Sequence, residues 1–325
     1  MSERILVTGG AGCIGSDLAA ALLAGGHRVT VFDNLSSGKI EHVSPMLAQE
    51  RFRFVEGDLL DRKLLDSAVA GQDMVYHLAA NPDVKYAPGD PTDKDLTQNT
   101  LCTYNVLESM RVQGVRRVGF SSTSAVYGVS ERQPIPEDNP MRPISLYGAT
   151  KLGCEALISA FQNLFDFDCW IFRFANIVGP KVRKKGRTVI GDFVDRLGQD
   201  PTCLRILGNG LQAKSYLASE ECVEAMLYVV DRAPRGFHVF NLGCTDSLEV
   251  RRIAEMVVEA MGLADVRFEY TGGEGGWPGD VPRFKLDVSA VNRLGWHARR
   301  TSEQAVAMAI RSTLEHREAA RACKS

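Results

Sequence analysis

Thr8-Gly9-Gly10-Ala11-Gly12-Cys13-Ile14-Gly15 is the stretch that decides the fold of this 325-residue chain. Gly10, Gly12 and Gly15 satisfy the spacing GxGxxG, and the octet follows a short apolar run at residues 5–7. Behind it Ile14, Leu18 and Leu22 recur every four residues, which puts one apolar stripe on a helix, and Gly25-Gly26 then stops that helix. Glycines between a strand and a helix let the backbone turn tightly and come close to a pyrophosphate, which rests on the positive end of the helix. Eighteen residues beyond Gly15 stands Asp33, at the end of a second apolar run, 29–32. A carboxylate there accepts hydrogen bonds from an adenine ribose and repels a 2′-phosphate, so the dinucleotide expected is NAD and not NADP.

Outward from this octet the alternation continues. Apolar β-like runs at 52–55, 74–78 and 117–120 are separated by helical patterns, and two more follow at 169–174 and 237–242. Strand–helix–strand repetition of this kind implies a doubly wound parallel sheet with helices on both faces, a Rossmann-type α/β fold. The expected division is an NAD-binding domain over residues 1–176, with a strand returning near 237–262. A smaller substrate-binding lobe then takes 177–236 and 263–325, including the Gly- and Pro-rich segment 272–282. At the strand ends, Gly57-Asp58-Leu59 suits an adenine edge and Leu78-Ala79-Ala80 a close backbone approach.

The formal net charge is −2 and charged residues make up 24% of the chain. That balance carries no nucleic-acid footprint and no disordered composition. Lys181, Arg183, Lys184, Lys185 and Arg187 do cluster. The cluster reads either as a solvated loop or as a lip that attracts a small polyanion. The eight cysteines include no CxxC pair and no His at zinc spacing, so they read as reduced thiols of a cytoplasmic protein, with no metal site. The apolar runs fall far short of the ~20 residues that span a bilayer, so no membrane partner is expected.

A second motif, Tyr147-Gly148-Ala149-Thr150-Lys151, carries the chemistry. Positions i and i+4 of a helix lie on one face, so the phenol and the ammonium serve one site. A free tyrosine, with pKa ~10, is a poor base at neutral pH. A neighbouring Lys⁺ and a cationic nicotinamide would both favour the phenolate. Upstream, Ser121-Ser122-Thr123-Ser124 ends a strand in a run of hydroxyls, at the edge where such sheets bind ligands. Thr123 is read as the hydroxyl that holds the reacting oxygen, with Ser122 and Ser124 as contributing neighbours.

Taken together, the glycine octet, Asp33, the segment 121–128, the 147–151 motif and Arg173-Phe174-Ala175-Asn176-Ile177-Val178-Gly179-Pro180 resemble the extended short-chain dehydrogenase/reductase family. Within it the chain is most similar to the UDP-glucose 4-epimerase branch, and later segments at 207–210, 214–217 and 276–281 extend the likeness nearly end to end. The resemblance implies NAD as cofactor and a UDP-sugar or related nucleotide-sugar as substrate. It casts Tyr147 as base and acid, Lys151 as the ribose contact that tunes Tyr147, and Thr123 as the holder of the sugar 4-oxygen. It also implies a cofactor side of Gly9, Gly12, Cys13, Ile14, Gly15, Asp33, Asn34, Asp58, Leu59, Leu78, Ala79, Ala80, Asn99 and Ser121. The substrate side it implies is Ser122, Thr123, Ser124, Asn176, Val189, Lys214, Asp280 and Phe284. Asn176 and Lys214 would face the diphosphate, and Phe284 would limit room beside C2 of the sugar. A homodimer through helices near 97–112 and 147–165 is expected on the same ground.

The chain departs from the family in places. Cys13 stands where relatives often have an aromatic and Asp17 where they often have His, while Trp277 occupies the spacing of an arginine that often precedes the Gly-Asp at 279–280. Relatives that dehydrate or decarboxylate carry carboxylates after the catalytic Thr. Here those positions are Ser124 and Ala125, which have no ionisable group near pH 7. The expected function is therefore a nucleotide-sugar 4-epimerase acting on UDP-glucose and UDP-galactose through a 4-keto sugar. The rivals are a 4,6- or 5,6-dehydratase, a UDP-glucuronate epimerase or decarboxylase and, from another class, a non-catalytic NAD-binding sensor.

Overall fold

The computed structural model describes residues 2–83, 89–181 and 188–322, the side chains of 320–322 excepted. Its centre is a parallel sheet built from β1 (Arg4–Thr8), β2 (Arg28–Asp33), β3 (Phe52–Glu56), β4 (Met74–His77), β5 (Arg117–Thr123), β6 (Asp168–Phe174) and a seventh strand, Phe237–Leu242. The order is seventh–β6–β5–β4–β1–β2–β3, and every neighbouring pair is parallel. The direction of winding thus reverses between β1 and β4, the switch point at which open α/β sheets bind ligands beyond the strand ends. All seven apolar runs expected from the sequence are strands of this one sheet. Buried on both faces, such strands read as continuous apolar segments.

The helices that frame the site are α1 (Cys13–Ala24), α2 (Arg62–Val69), α3 (Cys102–Gln113) and α4 (Leu146–Phe165). Helix α1 runs between the glycine octet and Gly25, with Leu18 and Leu22 of its stripe buried. Ser145 caps α4, its hydroxyl accepting from Gly148 N at 3.1 Å, which sets Tyr147 in the first turn of the helix. Core clusters lie on both faces of the sheet. One takes in Leu18, Val31, Tyr76 and Phe172, and the other Leu6, Val75, Phe120 and Ile158.

The lobe has its own core, built by α5 (Val189–Gln199), the helix Val250–Ala260 and the C-terminal helix Ser302–Ala322, with Ile206 and Tyr216. Its strands are short: Asn176–Val178 pairs with Tyr216–Ala218, and Ala213–Lys214 lies between Leu248–Glu249 and Arg283–Phe284. The packing redraws the expected boundary in two places. The helix Ser219–Arg232 buries Cys222, Met226 and Val229 against the sheet and α1, so it belongs with the nucleotide-binding side. The helix Val250–Ala260 buries Ile253 and Val257 in the lobe core instead of on the sheet. Among the described residues no disulfide forms, and no described helix is long and apolar enough to cross a membrane.

Candidate active site

A cleft of about 1130 Å³ runs along the carboxyl ends of the strands. Its floor is the glycine octet. Gly9 has φ +69°, and a Cβ there would lie 2.6 Å from Ala79 N. A Cβ on Gly15 would lie 2.3 Å from Gly9 O, so the first turn of α1 sits directly on the end of β1. These close approaches leave no room for a side chain at either position. Gly12 stands at the N-cap of α1 with no side-chain bond to the first turn, so those backbone N–H groups are left for an anion. Asp33 closes the far side, its Oδ2 accepting from Ala11 N at 2.9 Å and its Oδ1 from Leu35 N at 2.8 Å. Burial raises the Asp33 pKa, and the bonds from Leu35 and Ala11 work against that.

Of the residues expected on the cofactor side, all but Asn99 line this cleft. Asn34 donates to Asp58 Oδ2 at 3.0 Å, which braces the ends of β2 and β3. Asn99 lies behind the wall and is buried. Its Oδ1 accepts from Asn81 N at 2.8 Å and its Nδ2 donates to Thr150 Oγ1 at 3.0 Å. The side chain thus ties the loop after β4 to α4, a structural role one step from the cofactor. A Cβ-excluding floor, an uncapped helix start and a carboxylate at the second strand together fit an NAD-type dinucleotide.

Tyr147 and Lys151 project from α4 into the same cleft. The Lys151 ammonium is buried, donates to Ser121 O at 2.7 Å and lies 4.6 Å from the centre of the Phe120 ring. Burial lowers its pKa to about 8, while Cys154 and Glu155 oppose that. The Tyr147 phenol is pushed up, first by burial and then by the Asp95 carboxylate, and the Thr123 hydroxyl favours its ionised form. The Lys151 cation is directed at the strand carbonyl of Ser121. His77, buried beside them, is depressed to about 3 by burial and by Lys151, and is held neutral between Thr8 Oγ1 (2.7 Å) and Thr103 Oγ1 (3.0 Å).

The residues expected on the substrate side are only partly gathered. Thr123 caps the turn Ser124–Tyr127, its Oγ1 accepting from Ala125 N at 3.1 Å, and Ser124 opens that turn. Ser122 reaches the cleft wall, but its hydroxyl donates to Glu155. Asn176 lies against the Tyr216 phenol, and Val189 packs on the lobe core beside Thr188, which does line the cleft. Lys214 is paired to Asp280 at 2.5 Å, with its ammonium 5.0 Å from the Trp277 ring centre and 6.0 Å from that of Phe284. Phe284 is only 7% exposed and packs into the core, and the cleft wall does not include it.

Of the basic cluster, read as a solvated loop or as a lip for a small polyanion, Lys181 lines the cleft. It bonds Ser16 Oγ (3.0 Å) and Asp17 Oδ1 (2.7 Å), joining the lobe side to the first turns of α1. The Asp17 noted as a departure is thus its partner. The rest of the basic cluster, Arg183 to Arg187, lies outside the described residues. The feature that sequence reasoning missed is Glu155, the next residue along the Tyr147–Lys151 face.

Residues 5–243 match the profile of the NAD dependent epimerase/dehydratase family. The UDP-glucose 4-epimerase of Mycolicibacterium smegmatis is 33% identical over 316 residues, covering 96% of this chain and 97% of that one. A solved UDP-galactose 4-epimerase aligns with a TM-score of 0.85 at 36% identity, over 96% of this chain and 99% of its own. DesIV, a dTDP-glucose 4,6-dehydratase from Streptomyces venezuelae solved with NAD bound, aligns with a TM-score of 0.86 at 28% identity, over 97% and 98%.

Proposed function

Because the chain belongs to the NAD dependent epimerase/dehydratase family, we propose that it is a nucleotide-sugar 4-epimerase whose substrates are UDP-glucose and UDP-galactose. Gly9–Gly15 and Asp33 would hold NAD, which when bound would supply a two-electron hydride acceptor and donor beside a sugar carbon. Tyr147 in its ionised form, which the Thr123 hydroxyl favours and a cationic cofactor would favour further, takes the proton from the 4-hydroxyl and gives it back. Thr123, directed at the same phenol, holds the 4-oxygen, and Lys151 keeps a positive charge one helical turn away. Asn176 and Lys214 serve the diphosphate. Lys214 does so by exchanging Asp280 for phosphate, a charge-assisted exchange of like for like.

One observation carries the choice of reaction. Thr123 is followed by Ser124 and Ala125, whose backbone turns back on the Thr123 hydroxyl, so no carboxyl group follows the threonine to work at C5 or C6. The likeness to a 4,6-dehydratase favours the second reading, elimination of water from the same 4-keto sugar. Incubation with UDP-glucose followed by chromatographic resolution of the sugar nucleotides tests the assignment. UDP-galactose is expected, and a product lighter by one water would move the chain to the dehydratases.

The homodimer is part of the same reading. Leu96, Leu101 and Tyr104 are exposed around a shallow apolar groove shared with Leu157, on the two segments expected to pair. Sedimentation should give twice the chain mass, and Leu101→Glu should give a monomer. A monomeric wild-type protein would refute this assembly.

A further inference from the structure

Tyr147, Lys151 and Glu155 stand at i, i+4 and i+8 of α4 and so share one face. Each meets a different residue at the end of β5. Tyr147 faces the Thr123 hydroxyl, Lys151 donates to the Ser121 carbonyl, and Glu155 accepts from the Ser122 hydroxyl. Ser122 is the register partner of Arg173 on β6, so both approach Glu155 from the sheet. Glu155 is 5% exposed and Arg173 3%. The guanidinium gives Nε and Nη2 to the carboxylate at 3.0 and 2.7 Å, Nη1 to Tyr127 OH and Glu137 O at 2.8 Å each, and Nη2 also to Met141 Sδ at 3.1 Å. All five of its N–H groups are therefore engaged. Tyr127 OH passes the chain on to Asn241 Oδ1 at 2.8 Å, and Asn241 Nδ2 holds Ile135 O and Asp287 O.

A buried ion pair is a weak source of stability, since desolvation offsets much of its attraction, but a fully bonded one permits a single geometry. We propose that Glu155, held by Arg173, is a positioning residue that sets the seat of α4 against the hydroxyl-bearing end of β5, and with it the placement of Tyr147 and Lys151. The proposal rests on the reading of Tyr147 and Lys151 as the reacting pair. Glu155 also acts on Lys151 through charge, because its carboxylate works against the burial that lowers the ammonium. The groups facing Lys151 are Cys154 and Glu155 of its own helix, His77 of β4, and the Phe120 ring and Ser121 carbonyl of β5. Asp95, ahead of the helical turn Leu96–Leu101, acts on Tyr147, and Arg173 reaches Lys151 only through Glu155.

Glu155→Gln and Ser122→Ala, measured beside Tyr147→Phe in the NAD-loaded enzyme, test this. Glu155→Gln should retain NAD and lower kcat on UDP-glucose at least tenfold, with KM changed less than threefold. Its high-pH limb should move to lower pH, because Lys151 loses a carboxylate that favours its charged form. Ser122→Ala keeps the charge, so its limb should stay in place while kcat falls at least threefold. A folded Glu155→Gln with wild-type kcat and an unmoved limb overturns the proposal. Should that variant not fold, wild-type kcat in Ser122→Ala does so. Wild-type turnover by Tyr147→Phe would instead overturn the underlying assignment of the base.

Discussion

Lys151 donates from Nζ to the carbonyl oxygen of Ser121 across 2.7 Å, so the cation of the 147–151 motif is anchored to the strand and not to the tyrosine. Its side chain is only 2% exposed, and burial holds its pKa at about 8 against an ordinary 10.5. Turnover should therefore decline as pH rises through about 8, where the ammonium loses its proton. A pH–rate profile without a limb in that region would contradict this placement.

The same burial has a stability consequence. The folded pKa lies below the unfolded one, so the fold binds this proton less tightly than the open chain does. Below pH 8 the penalty is fully present, on the order of 3 kcal/mol, and it fades as pH rises from 8 to 10.5. Lys151→Met should accordingly cut turnover at least 100-fold while leaving Tm at pH 7 unchanged or raising it. Thermal unfolding and activity measured on one preparation check both halves, and a lower Tm with normal turnover would refute the argument.

Tyr147→Phe removes the phenol while leaving the glycine floor and Asp33 intact. It should abolish turnover and keep NAD bound at wild-type stoichiometry, measured by absorbance after denaturing release. Loss of NAD along with activity would mean that the ring serves mainly to hold the cofactor.

Asp33 accepts one backbone N–H on each oxygen, from Ala11 and from Leu35, so it shapes the glycine loop. Asp33→Ala should weaken NAD at least tenfold, because one ribose hydrogen bond to a charged carboxylate would be worth roughly 1.5–3 kcal/mol. The wild-type protein should take NAD in preference to NADP in a binding titration. The reverse preference would show that the carboxylate does not face the 2′ position.

The sheet was legible because each of its strands carries a short, mostly apolar run. The octet was legible because only glycine survives where a Cβ would meet Ala79 N or Gly9 O. The lobe was not. Ala213–Lys214 and Arg283–Phe284 are two residues long, too short for any period to show, yet they bring Lys214 and Asp280 together across 66 positions. That pairing turned two residues expected to face a ligand toward each other. Phe284 likewise shows how little a lone aromatic says about which side of a wall it occupies. Glu155 escaped notice because a single acid on a helix ordinarily marks the solvent side. Its i+8 spacing from Tyr147 was the available signal, and it gains meaning only once Ser122 and Arg173 are seen paired on adjacent strands.

In the proposed reaction Tyr147 acts alone as acid and base at C4, and Ser124 and Ala125 after Thr123 supply no second acid or base. Turnover of UDP-glucose in heavy water, followed by mass and proton analysis of the product sugars, tests this most directly. UDP-galactose is expected, with no deuterium on any sugar carbon and no loss of water or CO₂. Deuterium at C5, or a dehydrated sugar in the mass spectrum, would contradict it.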